Sequence, residues 1–362
     1  MSQLKIGVLT FHRCINYGSY WQAVLLTKGL QALGHDVVIL DHCSGAVNIA
    51  ELKCAYQPVL PTQVPASDVP LYRKKIEKFF SAFESMPLSE KFPLSNPEEM
   101  GSYDLVVIGS DEVWNLFHPW YGKKPLFYGD GIPSQLLVSY AASFGNYPAT
   151  WGLEQEWAEK LLNFDLISVR DENSWWLVKN ATGTEPTMVL DPCLQFVEEA
   201  CSHDSIKQRK YAAVYGHNFS SSFIHEIKSW AKRKGLPLIS IGYRNDWCDD
   251  QWITAGPHDF PQFIDGAEVV ATNFFHGCVF SLRHKKPFVC ESSPYRNNKL
   301  WGLVNKIGCE KYLVTENASS NDYSILLDNP LDEKTIERIQ ELRDISQDYL
   351  RRVLSLKQAQ VA

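Results

Sequence analysis

The chain has 362 residues, 45% of them hydrophobic, and a formal net charge of −7. The length suggests two domains and the apolar share supplies a full core for each. The negative balance argues against a general nucleic-acid binder, which needs clusters of Lys and Arg for the phosphate backbone.

Residues 4–11, LKIGVLTF, read as a buried strand. The loop HRCINYGSY follows, then a helix over WQAVLLTKGLQAL that Gly34 stops. HDVVILDH is a second strand, and this β-loop-α-β order implies a parallel sheet. The first loop holds no GxGxxG, so a dinucleotide site is not supported. Residues 45–102 are rich in Pro and Ser, with one helix over LYRKKIEKFFSAFES, and read as an insertion or lid. YDLVVIGSDEVWN gives a strand, a tight turn and an acidic cluster. LLVSYAASFGN is a strand, DLISVRDENSWWLVKN a strand running into a helix, and PTMVLDPCLQF a strand running into a loop. Polar residues around 195–208 break the pattern.

A second alternating series then begins. KYAAVYGH, LPLISIGY, AEVVAT and PFVCE read as strands, and SSFIHEIKSWAKRKG, PQFIDGAE and GCVFSLRHKK as helices. The architecture expected is α/β, with two Rossmann-like domains, residues 1–200 and 201–362, facing a cleft that holds the ligand. DEKTIERIQELRDISQDYLRRVLSLKQ is a long amphipathic helix, expected to pack back across the domains, with membrane contact as the other reading. Nine scattered cysteines without a CxxC pair fit reduced thiols in the cytoplasm and give no zinc spacing. The N-terminal MSQLKIGVLTF has too short an apolar run to read as a signal peptide, and no stretch of 18 apolar residues suggests a membrane span.

His276 falls where the strand AEVVAT ends and a helix begins. Strand carboxyl ends are where α/β proteins bind ligands, and a helix N-terminus offers unpaired N–H groups to an anion. A histidine there adds acid–base capacity. The position suits either a small-anion site or a core histidine that caps the helix. The 11 Trp, 16 Tyr and 18 Phe suit sugar rings and ordinary packing alike.

Six motifs stand in order: NYGSYWQAV, VVIGSDEVWN, VSYAASFG, ISVRDENS, VLDPCL and TNFFHGCVFSLRHKKPF. Together they resemble the polysaccharide pyruvyl transferase family over roughly residues 4–315, nearly the whole chain. The resemblance implies a two-domain fold similar to GT-B glycosyltransferases. It also implies transfer of the pyruvyl unit of phosphoenolpyruvate to a sugar of a bacterial surface polysaccharide or its precursor, closing a ketal. In that family the Arg of the SVR motif and the His of the FHG motif serve the donor, which carries over to Arg170 and His276. Two departures are present. The family pattern has Asp-Ser where Asn273 and Phe274 stand, next to the donor site, and Gln where Glu112 stands.

On this reading His276 and Asp111 are catalytic. Arg170, with a planar fork that can grip an anion bidentately, binds the donor together with His276, Gly277, Phe275 and Arg296. The acceptor side comprises Asn16, Tyr17, Asp111, Trp114 and Asn115. Asp111 is either the base for the sugar hydroxyl or a cap for a following helix. Lys299 could add charge near the donor, and Asp191-Pro192 reads as an interdomain turn. No metal and no cofactor are expected, with phosphoenolpyruvate as co-substrate. Partners are that donor and a sugar acceptor, free or lipid-linked, without nucleic acid. The location expected is the cytoplasm, with peripheral contact at the inner membrane face left open. The rivals are a GT-B nucleotide-sugar glycosyltransferase, with Glu291 as ribose ligand, and a non-catalytic sugar-binding derivative.

Overall fold

The computed structural model describes residues 3–197, 210–292 and 297–361. The first half runs β1 Lys5–Leu9, α1 Tyr17–Ala32, β2 Asp36–Ile39, β3 His42–Cys43, α2 Gly45–Tyr56 and α3 Val69–Glu84. It continues through β4 Phe92–Pro93, β5 Tyr103–Ile108, β6 Ser134–Ser139, α4 Gln155–Leu161, β7 Ser168–Val169, α5 Glu172–Thr182, β8 Thr187–Met188 and α6 Pro192–Gln195. The second half runs β9 Ala212–Tyr215, α7 Ser221–Lys234, β10 Leu238–Ile241, β11 Asp250–Trp252, α8 Asp259–Gly266 and β12 Val269–Thr272. After these come α9 Phe275–Arg283, β13 Phe288–Glu291, α10 Asn297–Ile307, β14 Leu313–Val314, α11 Ser320–Asp328 and α12 Glu333–Val361.

The strands form two main parallel sheets. The first has the order β2-β1-β5-β6 and the second β11-β10-β9-β12-β13-β14. Their strands are short, nearly all-apolar runs such as DLVVI and VVAT, as expected when helices cover both faces of a parallel sheet. In each sheet the chain reverses its direction of travel once, between β1 and β5 in the first and between β9 and β12 in the second. Such a reversal splays the loops at the strand carboxyl ends and opens a crevice there.

The two halves are docked through α1 and α3. Tyr17 stacks on Phe260 at 4.7 Å, and Trp21 Nε1 donates to the Pro257 carbonyl at 2.8 Å. Arg244 pairs with Asp68 at 2.8 Å. On α3 the buried positions Tyr72, Ile76, Phe79 and Phe83 recur at helical spacing, so one apolar stripe faces the second half. The C-terminal α12 crosses back to the first sheet. Tyr349, Leu350 and Val353 enter the core with Ile6, Val8 and Val138, and Tyr349 Oη donates to the Ser139 carbonyl at 2.7 Å. No described helix is long and apolar enough to cross a membrane.

Several sequence expectations are corrected here. The first helix begins at Tyr17, because the Asn16 side chain accepts from Gly18 N and Ser19 N and caps it; NYGSY is the helix start rather than loop. The 45–102 segment carries a second helix, α2, whose apolar residues are spread around the helix instead of along one face, so no helical periodicity signals it. No helix follows Asp111, so its capping role falls away. Asp191-Pro192 opens the short helix α6 instead of a bare turn. The boundary expected near residue 200, and Arg296, lie outside the described residues.

Candidate functional site

The carboxyl ends of β1 and β5 and those of β9 and β12 meet, so the two topological reversals share one crevice. β1 leads into Asn16 and the first turn of α1. β5 leads into Ser110 and Asp111, with Asp111 held at φ 75°, a left-handed backbone that a non-glycine residue rarely adopts. From the other half, β12 leads through Asn273 and Phe274 into α9. Short β7 delivers Arg170, and α6 delivers Asp191 from its N-cap.

These groups surround a cavity of about 170 Å³ lined by Asn16, Ser19, Asp111, Glu112, Arg170 and His276, with Phe274, Phe275 and Lys299. His276 and Arg170, which come from opposite halves of the chain, converge on Asp191. Arg170 Nη1 donates to Asp191 Oδ2 at 2.9 Å, and His276 Nε2 lies 3.7 Å from the same oxygen, too far for a hydrogen bond. Nε2 has no hydrogen-bond partner among the described residues. Burial alone would raise the Asp191 pKa, yet His276 and Arg170 hold it well below the usual carboxylate range.

The guanidinium fork is not free for a bidentate grip on a ligand. Its Nη2 lies 3.3 Å from Asp111 Oδ1 while Nη1 serves Asp191, and its plane rests 4.6 Å above the Phe275 ring. An arginine has five N–H donors, so those left over are what it can offer the cavity. Asp111 also accepts from Ser19 Oγ at 2.6 Å and from Glu112 N at 2.9 Å. Glu112 pairs with Lys299, and although burial alone would raise its pKa, Lys299 and Arg170 bring it down to about 2. The cavity is therefore a network of two cations, three carboxylates and one imidazole.

The helix end supplies further donors. Phe274, at the N-cap of α9, offers no side-chain cap. The N–H groups of Phe275 and His276 thus have no protein acceptor among the described residues, and they carry the positive end of the helix dipole. Gly18 sets the position of the imidazole: a Cβ there would stand 1.9 Å from His276 Nδ1. The glycine in NYGSY is what lets α1 and α9 approach with the histidine ring between them.

Other expected residues serve the fold instead. Gly277 does not face the cavity; its N–H donates to the Phe274 carbonyl at 3.0 Å, and a Cβ would strike Thr272 Oγ1 at 2.0 Å. Trp114 is fully enclosed, with Nε1 donating to the Phe127 carbonyl at 2.7 Å. Tyr17 is buried against Phe260 and its hydroxyl donates to the Ala255 carbonyl at 2.8 Å. Asn115 donates to Glu112 at 2.8 Å and to Asn146 at 2.9 Å. All three have their polar atoms satisfied by protein, and none of them lines the cavity wall. Asn16 stays on the wall while capping α1.

Sequence reasoning missed Ser19 and the place of Asp191 between Arg170 and His276. Asp191 had a signal: a buried Arg170 needs carboxylate partners, and Asp191 opens a motif already singled out. Asp191, Cys193 and His276 also bring three potential ligand atoms within 4.8 Å of one another. Arg170 already occupies that carboxylate, and burial pushes the Cys193 thiol well up, so a cation would have to displace a guanidinium and deprotonate a buried thiol.

The chain is similar over its length to several solved structures. One is the glycosyltransferase SnogD from Streptomyces nogalater, at 11% identity over 98% of this chain and 100% of that chain, with a TM-score of 0.47. Others are the S. aureus MnaA–UDP co-structure, at 10% identity over 96% and 95% with a TM-score of 0.48, and the UDP-GlcNAc 2-epimerase of Methanocaldococcus jannaschii, at 12% identity over 93% and 98% with a TM-score of 0.49. At these scores the likenesses carry no functional argument. No curated protein matches the chain. The family model for polysaccharide pyruvyl transferases, however, matches residues 16–293, from the Asn16 cap of α1 through His276 and β13, and by that match the chain belongs to the polysaccharide pyruvyl transferase family.

Proposed function

We propose that this protein is a cytoplasmic enzyme that moves the pyruvyl unit of phosphoenolpyruvate onto a sugar of a bacterial surface polysaccharide or its precursor, closing a ketal. The observation that carries the reading is the convergence of His276 and Arg170 on one small cavity at an uncapped helix N-terminus. In this reading the anionic donor lies against the free N–H groups of Phe275 and His276, the remaining guanidinium donors of Arg170, and Lys299. His276 gives a proton to the methylene carbon, which leaves an oxocarbenium at the neighbouring carbon. A sugar hydroxyl adds there, and its proton passes to Asp111 through the Ser19 hydroxyl that already donates to it. Phosphate then leaves, and a second hydroxyl closes the ring. Two hydroxyl protons are lost in all; one is matched by the new methyl group and the other by the released hydrogen phosphate.

The test is ligand-induced stabilisation. A ligand that binds only the folded protein raises Tm, so phosphoenolpyruvate should raise it more than UDP- or GDP-sugars do. A larger shift with a nucleotide sugar and none with phosphoenolpyruvate would overturn the proposal in favour of a glycosyltransferase, with Asn273 and Phe274 as the altered positions.

A further inference from the structure

A second cavity, of about 320 Å³, adjoins the first and shares its Asn16, Ser19, Asp111 and Glu112 wall. Its far side is built by Glu51 of α2, Lys75 of α3, Trp120 and Tyr243. The volume lies at the lower end of the range for small-molecule sites, roughly 300–1,000 Å³.

Lys75 is the unusual member. It is only 4% exposed, although lysine is almost never buried without a partner. Its Nζ donates to the Gly242 carbonyl at 2.9 Å and lies 4.4 Å from the Tyr243 ring centre and 5.2 Å from that of Tyr17. No ion pair joins it to a described carboxylate. The carboxylates around the cavity are committed elsewhere. Glu51 accepts from Trp120 Nε1 at 2.9 Å and from Ile15 N at 3.3 Å, Asp111 serves Ser19 and Arg170, and Glu112 serves Lys299. An ammonium has three N–H donors, and one of Lys75's is used. Burying a cation without a counter-ion is costly, and a ligand anion would relieve that cost.

We propose that this second cavity is the acceptor site and that the acceptor it takes bears its own anionic group, a phosphate or a carboxylate, bound by Lys75. The proposal rests on the donor reading of the smaller cavity, and it makes Lys75 a specificity determinant contributed by the 45–102 segment. Trp120 offers a ring face for the sugar beside the anion. Burial lowers the Lys75 pKa to about 7, so an arriving anion stabilises the charged form and binding near neutral pH takes up a proton.

Calorimetry on the full chain tests this with three probes: glucose 1-phosphate, glucuronate and methyl glucoside. Wild-type protein should bind at least one anionic probe about tenfold or more tighter than the neutral one, the ratio expected of a hydrogen bond to a charged group. Which anionic probe gains identifies phosphate or carboxylate. Lys75→Met should abolish the preference, Lys75→Arg should keep it, and phosphoenolpyruvate affinity should be the same in all three proteins. Heats in two buffers of different ionisation enthalpy should show proton uptake for wild type and none for Lys75→Met. Lys75→Gln replaces Lys75→Met should the latter fail to fold. Equal binding of charged and neutral probes to wild type, no binding of either anionic probe, or a preference that survives Lys75→Met each overturns the proposal. Failure of the donor reading shows separately, as absent phosphoenolpyruvate binding to wild type.

Discussion

Gly18→Ala is the sharpest probe of how the site is assembled. The new Cβ would meet His276 Nδ1 at 1.9 Å, Cγ at 2.2 Å and Cε1 at 2.4 Å. Comfortable separation between such atoms is about 3.5–4.0 Å. The ring must therefore retreat by roughly 1.5–2 Å, away from α1 and out of its place beside Asp191. A misplacement of about 1 Å can lower turnover by about 10²-fold, so a loss of at least that size is expected. The backbone gives no reason for the loss, because Ala suits a helix better than Gly by up to about 1 kcal/mol. Turnover and stability should thus separate: phosphate release from phosphoenolpyruvate falls while Tm holds within a few degrees. Gly101→Ala is the control, since its Cβ would meet nothing nearer than Tyr103 Oη at 3.9 Å. A Gly18→Ala protein with wild-type turnover and an unmoved His276 would refute the claim that this glycine positions the imidazole.

Three further outcomes are expected. His276→Ala should lower phosphate release by roughly 10²–10⁴-fold, the range for loss of a general acid, with the melting curve little changed; unaltered turnover would assign the ring to packing. Asp191→Asn removes the charge on which Arg170 and His276 converge, and breaking a buried pair of this kind should cost about 3–5 kcal/mol in denaturant unfolding, whereas a loss under about 1 kcal/mol would show the network to be dispensable. Lys75→Met should be more stable than wild type at pH 6–7. Because the folded-state pKa of Lys75 is lowered to about 7 from 10.5, the unfolded chain binds the extra proton between those values, and wild type regains stability as pH rises. The advantage of Lys75→Met should shrink by about 1.4 kcal/mol per pH unit in that window, and a difference that does not change with pH would mean that Lys75 keeps an ordinary pKa in the fold.

What the sequence revealed of this site, and what it hid, follows from how each residue is held. His276 and Arg170 were legible because each sits where an apolar run gives way to a helix, and such junctions are readable from hydrophobicity alone. The strands were legible for the same reason. Trp114, Tyr17 and Asn115 misled because a motif marks residues that matter without saying whether they touch ligand or packing. NYGSY matters through a cap, a glycine and a hydroxyl, and its two tyrosines are core. GSDEVWN matters through Asp111 and Glu112, while its tryptophan is core and its asparagine holds Glu112 in place. Helix α2 was hidden because its apolar residues are spread around its circumference, which leaves no stripe to detect, and only Val47 of its twelve residues is buried. Lys75 was hidden more deeply. In the sequence it is one of several lysines on an amphipathic helix, where the natural expectation is a solvated face. Only the docking of α3 against Gly242 and Tyr243, contacts 167 and 168 residues away along the chain, turns it into a buried cation. Local patterns in a sequence report what a residue needs from its neighbours along the chain. The cavity around Lys75 is made by segments that meet only where the two halves pack on each other, so its chemistry had to be read from the fold.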